Sequence, residues 1–136
     1  FEVLQGKDLY INLEFKTNKI HDEGIEAIVL ALAKEYHFVH PIIFSSFNYQ
    51  TLKNCQRIDP YQQYCFLTKK PILWPKHFVK KNHFVAIHPH WYEPSKVTQR
   101  IWTIDNPRLA KRYFKLGVAG IFTNNFELMN EVKERL

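Results

Sequence analysis

The sequence predicts an α/β fold built on parallel strands. Strand-like and helix-like patterns alternate along its 136 residues, as they do in proteins made of repeated strand–helix units. The strand-like segments are mostly continuous apolar runs, which is typical of strands in a parallel sheet that helices cover. These segments are residues 9–16, 42–47, 64–67, 84–88, 100–104 and 118–123.

Four segments carry apolar residues at helical spacing. They are residues 22–36, 48–58, 107–116 and 127–136, and the predicted N-caps of the first three are Asp22, Asn48, and Asp105 or Asn106. These side chains can accept hydrogen bonds from the first free backbone N–H groups of a helix. Pro107 suits the first helical position because its missing N–H would have no partner there. Residues 70–81 show only a weak pattern that prolines interrupt.

One connection is too short to contain a helix. About a dozen residues, Pro89 to Gln99, separate the fourth and fifth strand-like segments. A crossover between parallel strands normally needs at least that many residues together with its helix. We therefore expect no full helix between these two strands.

Composition limits the classes of function. The formal net charge of +6 favours acidic partners, but scattered lysines without a known motif predict no specific binding of nucleic acid. No apolar run approaches the roughly 20 residues of a transmembrane helix. The spacing of Cys55 and Cys65 matches neither a redox nor a zinc motif, so we expect reduced thiols in a cytoplasmic protein. The length predicts a single domain over residues 1–136.

The first strand-like segment combines charge with apolar neighbours. Because side chains alternate along a strand, Asn12, Glu14 and Lys16 share one face. Buried charges are costly unless they are paired or used. We interpret this stripe as lying on a buried strand, where the carboxylate suits a hard cation and the ammonium suits an anion. The alternative is a structural ion pair on a surface strand.

Five short motifs occur in a characteristic order. They are residues 12–16 (NLEFK), 44–48 (FSSFN), 87–89 (IHP), 102–107 (WTIDNP) and 117–124 (GVAGIFTN). In this order they closely resemble the C-terminal portion of the glycerophosphodiester phosphodiesterase family. Its members are (β/α)8 barrels that hydrolyse glycerophosphodiesters to glycerol 3-phosphate and an alcohol. The resemblance implies a TIM-type barrel, truncated at its N-terminus to about six parallel strands with flanking helices, roughly strands 3 to 8.

The resemblance also implies roles for individual residues. Glu14 would be one ligand of a divalent cation, Mg²⁺ or Ca²⁺, and Lys16 would contact the substrate phosphate. Phe47 and Trp102 would line the glycerol end of the pocket, although either could belong to the core. His88 would lie at the pocket rim. Alternatively, His88 and the nearby His90 could bind a transition metal, or could be purely structural.

The chain departs from the family pattern in two respects. Asn124 and Phe126 replace an aspartate and a proline after the last strand, which predicts the loss of a negative charge there. The His-Arg-Gly and Glu-x-Asp motifs of the first strands do not appear before Glu14, and the dipeptide His21-Asp22 follows that strand instead. We therefore expect no catalytic residue in this chain and impaired hydrolysis.

Six parallel strands cannot close a barrel, because a complete one usually takes about 250 residues. The exposed strand edges offer unpaired backbone groups. They predict self-association or a completing partner chain, besides the small phosphodiester substrate in lipid and glycerol metabolism. The alternative to an enzyme is a non-catalytic barrel remnant that binds a phosphorylated ligand or such a partner.

Overall fold

A computed structural model describes residues 1–17 and 24–136. They form two compact units, Phe1–Leu67 and Thr68–Leu136. The predicted helix cap Asp22 and the dipeptide His21-Asp22 lie outside the described residues. The single domain expected from the length stays a prediction. Within the described ranges, no helix has the length and apolar character needed to cross a membrane.

The first unit is built from strand–helix repeats. After a short 3₁₀ helix at Glu2–Leu4, its elements are β1 (Asn12–Glu14), α1 (Ile25–Lys34), β2 (Ile43–Ser46), α2 (Tyr49–Ile58) and β3 (Gln63–Thr68), whose last residue begins the second unit. Strand β2 pairs in parallel with both β1 and β3. The parallel sheet predicted from continuous apolar runs is therefore present here.

Helix α2 begins and ends where local chemistry places it. The Asn48 side chain accepts a hydrogen bond from the Thr51 N–H at 3.2 Å, which confirms the predicted cap. At the other end, the buried Tyr64 hydroxyl donates to the Asp59 carbonyl at 2.6 Å and contacts the Cys55 carbonyl at 3.2 Å. Backbone carbonyls at a helix end have no partner within the helix, so Tyr64 ties the end of α2 to β3.

The second unit contains three short strands and three helices. Its elements are α3 (Pro75–Asn82), β4 (Ala86–Pro89), β5 (Arg100–Ile101), α4 (Pro107–Lys115), β6 (Gly120–Ile121) and α5 (Phe126–Glu134). Strands β5 and β6 pair in parallel. The core of this unit joins β5 to the two last helices through Ile101, Ile104, Ala110, Tyr113 and Met129.

The interpretation of residues 70–81 as a weak, proline-interrupted segment is wrong. Pro75 does not break a helix there but occupies the first position of α3. A proline is tolerated at that position because its missing N–H would have had no helical partner. Helix α4 uses the same arrangement, since Asn106 caps it and Pro107 begins it.

The connection between β4 and β5 contains no helix, as its length predicts. Instead, the buried Gln99 side chain holds the loop that precedes it. Its Oε1 accepts from the Glu93 N–H at 2.8 Å, and its Nε2 donates to the Glu93 carbonyl at 2.7 Å. Gln99 also forms a parallel bridge with Ile87. The Gln99 side chain therefore fixes the position of this loop, which contains no helix.

Several strands are shorter than the apolar runs suggested. Strand β1 contains three residues, and β5 and β6 contain two each. Backbone bonding nevertheless continues past their ends, because the Phe15 N–H donates to the Ser45 carbonyl at 2.8 Å. The Ile104 N–H donates likewise to the Phe122 carbonyl at 2.8 Å. The runs therefore predicted extended chain correctly, but not the length of regular pairing.

Candidate functional site

The predicted site residues are divided between the two units. Glu14, Lys16 and Phe47 belong to the first, and His88 and Trp102 belong to the second.

The polar stripe on β1 faces solvent. Asn12, Glu14 and Lys16 are exposed, whereas Phe15, on the other face, is buried. The alternation expected from strand geometry is confirmed, but the interpretation of the stripe as part of a buried strand is wrong. Strand β1 is the outer strand of its sheet, so one of its edges has no neighbouring strand among the described residues.

A line of polar side chains crosses the sheet beside Glu14. The parallel register places Glu14 opposite Ser45 and Ser45 opposite Cys65, and residues in register on neighbouring parallel strands point to the same face. Ser45 is fully buried, and its Oγ has no hydrogen-bond partner. Phe47, the residue after β2, is half-buried. The register thus places Glu14 and Ser45 on one side of the sheet.

The backbone on both sides of Lys16 is fixed by the start of α2. The Ser46 hydroxyl donates to the Phe15 carbonyl at 2.8 Å and accepts from the Asn48 N–H at 3.0 Å. The Asn48 side-chain amide donates to the Thr17 carbonyl at 3.3 Å. Lys16 therefore projects from a rigid segment although its side chain is exposed. The sequence predicts the capping role of Asn48 but not this second role.

The first unit does not provide a complete metal site. Among residues 1–17 and 24–136, no three His, Cys, Asp or Glu side chains are grouped so that they could hold an ion. Ca²⁺ takes about six to eight oxygen ligands, and Mg²⁺ needs octahedral coordination. Glu14 can supply one carboxylate but not a site. The described residues therefore do not by themselves fit the divalent cation that the resemblance implies.

Trp102 packs around the end of β4. Its indole N–H donates to the His88 carbonyl at 2.7 Å, and its ring centroid lies 4.5 Å from that of His90. The side chain is only partly buried. Trp102 therefore holds the backbone of His88 while keeping part of its own surface accessible.

His88 is fully buried, and its ring contacts a cation. Arg100 Nη1 lies 3.4 Å from His88 Nε2, and burial, followed by the charge of Arg100, lowers the pKa of His88 to about 3. A metal ion could not share Nε2 with a guanidinium group. Among the described residues, no third His, Cys, Asp or Glu side chain joins His88 and His90 in a group that could hold a metal, so the transition-metal interpretation stays a prediction.

A carboxylate links the ends of β5 and β6. Asp105 Oδ1 accepts from the Thr123 hydroxyl and from the Asn124 N–H, each at 2.8 Å, and Oδ2 accepts from the Asn124 amide at 3.1 Å. These hydrogen bonds lower the pKa of Asp105. Asn124 itself carries no charge, as expected, but Asp105 places a carboxylate in direct contact with it. The sequence offers Asp105 as a possible helix cap and does not predict these bonds to Thr123 and Asn124.

No family model matches the chain. A glycerophosphodiester phosphodiesterase from Caldanaerobacter subterraneus is 28% identical over 145 residues, which cover 98% of this chain and 60% of that protein. A solved structure from Silicibacter pomeroyi, assigned to the glycerophosphoryl diester phosphodiesterases, superposes with a TM-score of 0.80 at 21% identity over 93% of this chain.

The resemblance to the glycerophosphodiester phosphodiesterase family is confirmed. A phosphodiesterase from Oleispira antarctica, in complex with its product sn-glycerol-3-phosphate, superposes with a TM-score of 0.78 at 19% identity. This chain covers 93% of its own length but only 56% of that structure, and 50% of the Silicibacter structure. The fold is therefore that of a (β/α)8 barrel represented by about six of its strands.

Proposed function

We propose that this chain is the C-terminal part of a metal-dependent glycerophosphodiester phosphodiesterase, a phosphoric diester hydrolase acting in lipid and glycerol metabolism in the cytoplasm. The observation that carries the proposal is the match of 98% of the chain to a relative of that name. The product in the Oleispira phosphodiesterase supports a small phosphodiester as substrate.

The two exposed charges, Glu14 on β1 and Lys16 just after it, would have complementary roles. Glu14 would donate one carboxylate oxygen to Mg²⁺ or Ca²⁺, and Lys16 would neutralise a phosphate oxygen as a compact point charge. Phe47 and Trp102, both partly accessible, would contact the glycerol moiety. His88 would also contribute to substrate binding.

The reacting groups would come from segments that this chain does not contain. Histidines of a His-Arg-Gly segment would transfer protons, and a Glu-x-Asp segment would complete the ligands of the metal. We therefore expect the purified chain to release no glycerol 3-phosphate from glycerophosphocholine with either cation. Metal-dependent release by the chain alone would contradict this expectation.

A chimera tests the function itself. The segment of the Caldanaerobacter relative that precedes the matched region would be fused ahead of Phe1. We expect metal-dependent release of glycerol 3-phosphate, a loss of at least 100-fold in Glu14→Gln, and a raised KM in Lys16→Met. Lys133→Met, at an exposed lysine of α5, is the matched control. A folded, active chimera that Glu14→Gln leaves unchanged would exclude Glu14 as a ligand.

A non-catalytic remnant is the second candidate. It is favoured by the solvent-exposed face of β1, the outer strand of its sheet, because such edges can pair with another chain. This candidate predicts that the purified chain self-associates, or gains a defined partner at that edge. A stable monomer in light scattering at micromolar concentration would count against it.

A further inference from the structure

The formal charge of the chain is divided unequally between the two units. Residues 68–136 contain 13 Lys and Arg against 5 Asp and Glu, a net charge of +8. Residues 1–67 contain 6 Lys and Arg against 8 Asp and Glu, a net charge of −2. The whole excess of positive charge therefore belongs to the second unit. Such an asymmetry is typical of proteins that bind a membrane surface or a nucleic acid.

One basic segment of the second unit surrounds its most exposed apolar side chains. Residues 69–81 contain five lysines and no Asp or Glu. Within this segment, Leu73 and Trp74 are 75% and 71% exposed, the highest values among the large apolar side chains of the unit. Single exposed apolar residues are ordinary, but adjacent ones with a polar rim mark an interaction surface.

The backbone holds these two side chains in place from both ends of the loop. The Thr68 hydroxyl accepts from the Lys70 N–H at 3.1 Å and donates to the Lys70 carbonyl at 2.6 Å. At the other end, the Phe78 N–H donates to the Trp74 carbonyl at 2.9 Å, and Pro75 is buried. Trp74 has a φ of 51°, which is uncommon for a bulky residue. The exposed apolar tip is therefore built into the start of α3.

A third exposed apolar side chain adjoins the same loop. Trp91 is 65% exposed, and it lines the same cavity as Lys70 and Ile72. The loop that carries Trp91 is joined to the end of β3, since the His90 N–H donates to the Thr68 carbonyl at 3.1 Å. We call the resulting group of exposed side chains the Trp74 surface. It consists of Lys69, Lys70, Leu73, Trp74, Lys76 and Trp91.

The chemistry of the Trp74 surface suits a lipid bilayer better than a nucleic acid. Tryptophan favours the boundary between headgroups and acyl chains. Lysine can bury its aliphatic stem there while its ammonium group contacts lipid phosphates. Single-stranded nucleic acids are bound by stacking bases on aromatic rings. Leu73 has no ring on which a base could stack, but it gains free energy when it enters an apolar medium.

We propose that the Trp74 surface docks the second unit onto an anionic phospholipid membrane. Leu73, Trp74 and Trp91 enter the boundary between headgroups and acyl chains. The three lysines of the surface contact the lipid phosphates. This binding does not depend on the proposed hydrolysis, because it uses neither Glu14 nor Lys16.

Cosedimentation of the full chain with vesicles tests the proposal. One set of vesicles contains phosphatidylcholine alone, and the other contains equimolar phosphatidylcholine and phosphatidylglycerol. We expect binding to the mixed vesicles at low salt, weaker binding as the salt concentration rises, and little binding to phosphatidylcholine alone. Failure to bind the mixed vesicles, or equal binding to both sets, would overturn the proposal.

Charge variants test whether the binding belongs to this surface. Replacing its three lysines by glutamine should weaken the binding to mixed vesicles by about fivefold for each lysine. The control removes the same charge from exposed positions of α4 and should have a much smaller effect. An equal loss in both variants would show that the whole basic unit binds diffusely, and would overturn the proposal. The two variants are Lys69→Gln/Lys70→Gln/Lys76→Gln and Lys111→Gln/Arg112→Gln/Lys115→Gln.

Apolar variants test insertion. Leu73→Ser combined with Trp74→Ser should weaken binding to mixed vesicles by at least about tenfold. Phe126→Ser, at a position of α5 that is 68% exposed, is the matched control and should bind as the wild type does. All these positions are exposed, and circular dichroism checks that each variant is folded.

Tryptophan fluorescence distinguishes insertion from contact through charge alone. When mixed vesicles are added to the wild-type chain, we expect the emission to move to shorter wavelength and to be quenched by lipids with brominated acyl chains. Bound chain whose emission is neither shifted nor quenched would exclude insertion. Binding of single-stranded DNA that Leu73→Ser/Trp74→Ser abolishes, without any binding to vesicles, would assign the surface to nucleic acid and overturn the proposal.

Discussion

Glu14 and His88 both lie on strands of the predicted pocket, but their surroundings are opposite. Glu14 is exposed on the outer strand β1. His88 is fully buried, its ring contacts Arg100 and its carbonyl accepts from Trp102. The protonation state of His88 is therefore set by residues of its own unit. The role of Glu14 depends on ligands that the described residues do not supply.

This contrast separates groups that stabilise the fold from groups that are available for chemistry. Side chains with several internal hydrogen bonds should affect stability when they are replaced. The exposed pair Glu14 and Lys16 should affect binding or activity alone. The following variants test that division, beginning with the largest expected effect.

Gln99→Leu should destabilise the chain most. It removes both side-chain hydrogen bonds to Glu93 in the connection that lacks a helix, and leaves the Glu93 N–H and carbonyl without these partners. We expect a loss of about 2–3 kcal/mol in the free energy of unfolding, measured by urea denaturation. Gln56→Leu, at a half-buried glutamine of α2, is the matched control. A loss below about 0.5 kcal/mol, the usual range for surface substitutions, would show that the loop is held by other contacts.

Ser46→Ala should have an intermediate effect. The hydroxyl joins the Phe15 carbonyl to the Asn48 N–H, so its removal loses two buried contacts and should cost about 1–2 kcal/mol. Because those contacts fix the segment that carries Lys16, the affinity for glycerol 3-phosphate should fall as well. Isothermal titration and urea denaturation measure the two effects. Stability lost without any change in affinity would show that Lys16 does not need this support.

Asp105→Asn should produce a smaller loss that depends on pH. The pKa of Asp105 is lowered in the folded state, so its contribution is present above the unfolded value of 3.8 and is lost as the pH falls through the folded value. At pH 6 the variant should melt a few degrees below the wild type, with the difference shrinking toward pH 3. Thermal melts at both pH values measure this change.

The exchanged pair Asp105→Asn with Asn124→Asp is the control for that prediction. It keeps one carboxylate and one amide between the ends of β5 and β6. The double variant should recover most of the melting temperature that the single variant loses at pH 6. If the double variant is no more stable than Asp105→Asn, the carboxylate is required at position 105 itself.

Glu14→Gln and Lys16→Met should have the smallest effects on stability, within about 0.5 kcal/mol as at other exposed positions. The same urea denaturation measures this. A much larger loss would mean that the two residues belong to the structural network, and the contrast with His88 would then disappear. Thr51→Val provides a buried reference, because its hydroxyl lies 2.6 Å from the Thr17 hydroxyl.

The sequence predicted features that depend on neighbouring residues along the chain. Asn48 and Asn106 cap their helices as expected, because capping involves residues only two or three positions away. The missing helix between β4 and β5 followed from the length of the connection. The sequence did not predict that Pro75 begins a helix, because a proline is equally compatible with a helix break and with the first helical position.

Features that depend on contacts between residues far apart in the chain could not be predicted from local sequence patterns. The bonds between Asp105 and Asn124 join positions 19 residues apart, and only the pairing of β5 with β6 brings them together. The exposure of Glu14 depends on which elements cover β1. The contact of His88 with Arg100 joins positions 12 residues apart, and no local pattern associates the two.

Because the Trp102 indole is hydrogen-bonded to His88, the fluorescence of Trp102 should report on the surroundings of His88. Trp74 and Trp91 are 71% and 65% exposed, whereas Trp102 is partly buried and its indole N–H is engaged. The two exposed indoles should be quenched readily by iodide and should emit at longer wavelength. The less accessible, bluer component then belongs to Trp102, so that intrinsic fluorescence can follow events beside His88 without any label.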